Sequence, residues 1–154
     1  MKRRKARRVD LALHARSVRI GAQPHVATMP DIDRSVMVVK PKQPFFDWVQ
    51  SVDYEEGLTL DRVRDDSTSF LIPPIWDSSD HHKLLELCFE IVFEVELTGW
   101  HTDPALWPQQ RDLKMFLKWF EVEFHSLVID LCDGPIEVDD DEIDDYIEPG
   151  SNGH

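Results

Sequence analysis

Charge is sorted along this chain into three blocks, and that sorting decides which part can fold around a core. Residues 1–20 hold eight basic residues and one acid, residues 21–132 hold nine basic and twenty acidic residues, and residues 133–154 hold nine acids with no Lys or Arg. Blocks of like charge repel themselves and bury little apolar surface. The chain of 154 residues therefore divides into a disordered basic leader over 1–34, a single α+β domain over 35–133 and a disordered acidic tail over 134–154. Three readings of the leader stay open: a nucleic-acid or targeting arm, a solvated tail, or a protein whose start lies downstream at Met29 or Met37.

The net charge of −13 bounds the partners. An acidic body repels nucleic-acid phosphates and anionic membranes, so nucleic acid could be met only through the leader. The most apolar long stretch, Leu84 to Leu97, is broken by Glu86, Glu90, Glu94 and Glu96. A membrane-spanning helix needs ~20 mostly uncharged residues, so no membrane span is expected. Val9 to His14 is too short and too polar for the apolar region of a secretion signal. Cys88 and Cys132 form neither a CxxC pair nor a zinc spacing, which fits reduced thiols in the cytoplasm.

Within the middle block the periodicities alternate between strand and helix. Ser35-Val36-Met37-Val38-Val39 is β-branched and ends at Lys40-Pro41, which predicts a buried strand. Phe45, Phe46, Trp48, Val49 and Val52 recur at spacings of three and four, predicting a helix from about Pro44 to Val52. Leu58, Leu60 and Val63 suit a turn or weak strand, and Ser67 to Ile72 a second strand ended by Pro73-Pro74.

The next segment is strongly helical. Asp77, Ser78 and Ser79 offer N-caps, Leu84, Cys88, Ile91 and Val95 an apolar row, and Gly99 a stop. Asp103-Pro104 suits a capped single turn, and Pro108 to Phe120 a further helix. Val122 to Leu131 alternates as a last strand with Leu127, Ile129 and Leu131 on its buried face. The predicted order is β-α-β-α-α-β, a small mixed sheet of about three strands with helices packed on it.

Several residue types invite a chemical reading. Asp80-His81-His82 matches the DHH string of a family of metal-dependent phosphoesterases, but the further metal-binding aspartates those enzymes need are missing. The simpler reading places the three in the first turn of a helix. His101, Asp103 and His125 are ordinary metal-ligand types without a diagnostic spacing. Asp130 interrupts an apolar strand and is the candidate acid or base. No GxSxG, Walker A or GxGxxG motif occurs. No catalytic residue, cofactor or metal is assigned on this basis.

The binding candidates are Lys40, Lys42, Trp76, Trp100 and Trp107. The two lysines stand out in a body poor in basic residues; they could meet an anion or acidic partner, blunt a sheet edge or engage the acidic tail. Trp76, Trp100 and Trp107 fall at loops or element ends, where an indole can anchor a partner or lid the core.

Four segments together, VMVVKPKQPFFDWV, FLIPP, ELCFEIVFEVELTGW and WPQQRDLKMFLKWFEVEFHSLVIDL, resemble a group of small bacterial proteins that share this block order. The resemblance covers roughly residues 36–132 and implies a compact domain of the bacterial cytosol; it implies no activity, cofactor or site residue. Two functions follow as expectations. The first is a non-catalytic binding or regulatory module meeting another protein through an acidic, tryptophan-bearing surface. The alternative is a small metal-dependent or acid–base hydrolase using Asp130 and the loop histidines.

Overall fold

The structure, a computed structural model, describes residues 32–132 and 134–137. The expectations for the leader before Ile32, for Asp133 and for the tail from Val138 lie outside the described residues.

The fold is α+β. The elements run β1 (Ser35–Pro41), α1 (Gln43–Val52), α2 (Leu60–Asp65), β2 (Thr68–Ile72), α3 (Asp80–Trp100), a 3-10 turn (Pro104–Leu106), α4 (Leu113–Trp119) and β3 (Phe120–His125). The strands form one sheet in the order β2-β1-β3. Both pairings are antiparallel, so this sheet is not mixed. β1 is the central strand, with Met37 opposite Phe70 on one side and Phe124 on the other.

Alternation along β1 sorts its side chains between two faces. Ser35, Met37, Val39 and Pro41 are buried, while Val36, Val38 and Lys40 are half-buried. The inner face receives the helices. Phe45 of α1, Phe93 of α3 and Phe116 of α4 converge on Phe120, the first residue of β3, at ring-centroid distances of 4.8, 5.5 and 5.1 Å. Tilted and edge-on aromatic packing at these separations adds to the area buried. All four rings are essentially inaccessible to solvent.

Local chemistry sets the helix ends. Lys42 precedes α1 with Pro in the first turn. Thr59 accepts a hydrogen bond from the Arg62 amide and starts α2, where a turn or weak strand was expected. That helix buries Val63 alone, so it carries almost no apolar period. Asp103 caps the 3-10 turn through the Ala105 amide, as expected. Asp112 accepts from the Met115 amide at 2.7 Å and starts α4; Pro108 stays outside the helix.

Three expectations for the longer elements need correction. α3 runs through Gly99 to Trp100 before His101 turns extended. Its inward residues are Leu85, Val92, Phe93, Glu96 and Leu97, whereas Ile91 and Val95 face out. Apolar residues surround much of this helix, and the rings decide its rotation: Phe93 stacks edge-on against Phe116, Trp119 and Phe120. Finally, β3 begins where α4 ends and stops at His125; Leu127, Ile129 and Leu131 are exposed.

Candidate binding surface

The two lysines work inside the fold. Lys40 lies on the central strand, so it blunts no edge. Its Nζ donates to Glu123 Oε1 at 2.6 Å, joining β1 to β3. This hydrogen bond, ahead of the desolvation that opposes it, holds the Glu123 carboxyl below its ordinary value. His125 Nε2 lies 3.7 Å from the other oxygen of Glu123. Lys42 Nζ donates to the Leu117 carbonyl at 2.6 Å, satisfying one of the last carbonyls of α4. The Lys42 amide donates to the Trp119 carbonyl where α4 meets β3.

Trp100 and Trp107 are half-buried and pack against the core. Trp107 Nε1 donates to the His101 carbonyl at 2.8 Å, and the Arg111 guanidinium sits 5.7 Å from its ring centre. Trp107 therefore clamps the loop between α3 and α4. Trp48 ties that loop to α1 through the Leu106 carbonyl, and Trp119 packs among Phe45, Trp48 and Phe93.

Trp76 differs: it is 91 % exposed. The residue before it, Ile75, is buried, and the Ile75 amide donates to the Ser35 hydroxyl at 2.9 Å inside the protein. On the other side, Asp77 accepts from the Ser79 amide at 2.8 Å. That backbone hydrogen bond is the largest influence lowering the Asp77 carboxyl below its ordinary value. The indole thus projects from a loop held on both sides. Covering such a ring withdraws on the order of 200 Å² from water, worth a few kcal/mol at about 25 cal/mol per Å².

The residues considered for catalysis are engaged separately. Asp130 accepts from the Cys132 amide at 2.8 Å, a local turn contact. His101 Nδ1 accepts from the Asp103 amide, while the Asp103 carboxylate serves the 3-10 turn. Asp80 contacts Lys83, His81 stacks on Phe124 with ring centres 4.1 Å apart, and His82 reaches Glu86. The DHH string therefore addresses three different neighbours. Among the described residues, no three of His, Cys, Asp and Glu stand close enough to share a metal ion. Cys88 is half-buried, and burial pushes its thiol up.

Sequence reasoning missed Arg64. From α2 it donates to the Pro41 carbonyl at 2.7 Å and to Glu121 at 2.6 Å, closing the end of the β1–β3 pair. Its signal was hidden because α2 itself was not legible. No family model, curated protein or solved structure matches the chain.

Proposed function

We propose that the protein is a non-catalytic binding module of the bacterial cytoplasm that meets a protein partner through Trp76. One observation carries this reading: an almost fully exposed indole stands on a loop whose neighbour, Ile75, is anchored in the core through Ser35. Pre-ordering spares the partner the entropic cost of fixing the loop, and tryptophan is the residue type most enriched at interface hot spots. The acidic body supports a partner without large negative patches. The resemblance over residues 36–132 supports the bacterial, cytosolic setting. No observation favours the hydrolase, because Asp130, His101, Asp103 and His125 each serve a local contact.

The test uses the full chain as bait with wild-type and Trp76→Ala proteins of matched thermal midpoint. The reading expects a protein retained by the wild type at near-stoichiometric yield and lost from Trp76→Ala. Equal retention of every captured protein by both baits would overturn it.

A further inference from the structure

The sheet has two edges, and only one of them is blunted. On β3 the face away from the helices carries Glu121, Glu123 and His125, and charge along an edge deters a further strand. β2, Thr68-Ser69-Phe70-Leu71-Ile72, includes no charged residue and no proline. Its register with β1 runs one to one through all five positions, without a bulge. Among the described residues, no strand lies on its other side. An edge of this composition offers its outward amides and carbonyls as a template for another strand.

The middle three side chains agree with an open edge. Ser69 and Leu71 lie opposite Val38 and Val36, on the face away from the helices, and Leu71 is 54 % exposed. Phe70 lies opposite Met37 on the inner face, yet it is half-buried where Met37 is fully covered. The inner layer therefore ends on a ring whose outer side lacks a neighbouring strand.

We infer that two copies of this chain pair antiparallel through β2, in a register centred on Phe70, and so join two three-stranded sheets into one. Twofold symmetry sets Ser69 of each copy opposite Leu71 of the other and Phe70 opposite its own counterpart. The two Leu71 side chains become diagonal neighbours, and the two Phe70 rings a cross-strand aromatic pair. Charge favours this direction. Asp65 and Asp66 immediately precede Ser67 and β2, so antiparallel pairing sends these acids to opposite ends. At ~3.4 Å per residue they stand roughly 25 Å apart, well beyond the Debye length of about 8 Å. Parallel pairing would set them side by side. The contact closes at two copies, because each uses the same edge. One pair of five-residue strands buries less than the ~800 Å² per partner of a standard stable interface, so the dimer is weak and depends on concentration.

Sedimentation equilibrium of the full chain from micromolar to millimolar concentration tests this. The weight-average mass should climb from 18.0 kDa toward twice that value. Added salt should favour the dimer by screening the charge of −13 on each copy. Leu71→Lys, at matched thermal midpoint, should weaken association about tenfold, because two ammonium groups then meet across the pair. Ser69→Lys takes its place if Leu71→Lys melts early. Leu87→Lys makes the same change at an exposed leucine of α3 and should associate as the wild type does. Amide exchange within β2 should slow as concentration rises. A chain that stays at 18.0 kDa throughout overturns the inference. So does a dimer that the β2 substitutions leave intact. A dimer that Leu87→Lys dissociates overturns it too, because α3 would then be the contact, as does one that salt dissociates, because opposite charges would then hold it.

Discussion

Ser35 shows how much can depend on one hydroxyl. It sits on the inner face of the central strand, buried, where a polar group needs a partner, and it accepts the Ile75 amide. Ser35→Ala leaves that amide buried without an acceptor, at a cost of about 1–3 kcal/mol. Urea denaturation should show this loss, and amide exchange at Ile75 and Trp76 should accelerate with it. An unchanged midpoint would mean that the loop does not depend on the hydroxyl. Glu123 has a pH signature. Its carboxyl is held below the ordinary 4.5 by Lys40, so its contribution is present above that pH and is lost as pH falls through the lowered folded value. The thermal midpoint of Glu123→Gln should therefore fall less steeply than that of the wild type below about pH 4.5. Parallel curves would contradict the assigned cause. The tryptophans mark the limit of reading a site from residue type. Trp76 and Trp107 look equivalent in sequence, yet the Trp107 indole has the His101 carbonyl as partner and becomes a clamp. That distinction depends on where α3 ends, its C-cap His101 lying six residues before Trp107.

At the scale of elements, the sequence was most legible where backbone chemistry and apolar period agree. β1 is β-branched and ends at a proline, and α1 opens with one; both stand close to where they were expected. α2 was hidden because a six-residue helix with one buried side chain leaves no period to detect. The α4–β3 junction was blurred for a different reason. Trp119 and Phe120 are consecutive core residues in different elements, so the apolar spacing of the helix carries on across the junction while alternation has already begun at Phe120. The cap residues resolve such cases better than the runs between them. Asp112 holds the Met115 amide, and Asp112→Ala should destabilise the protein by about 1 kcal/mol in a denaturant titration. A neutral effect would remove the cap from the account of where α4 begins.

Across the whole molecule, one small sheet with helices on its inner face follows from the distribution of apolar residues, and the α+β class was legible for that reason. The rotation of α3 was not. Leu84, Leu85, Leu87, Cys88, Phe89, Ile91, Val92, Phe93 and Val95 offer several apolar faces, and only the partners across the core select among them. The rings of Phe116, Trp119 and Phe120 select Phe93, which leaves the aliphatic line outside. This one choice determines both what fills the core and which apolar residues of α3 stay exposed. Denaturant unfolding of Phe93→Ala beside Ile91→Ala tests it most directly. With Phe93 inward and Ile91 outward, the first should cost about 3–5 kcal/mol, while the second should stay within about 0.5 kcal/mol. Equal losses, or a larger loss for Ile91→Ala, would mean that α3 sits the other way round.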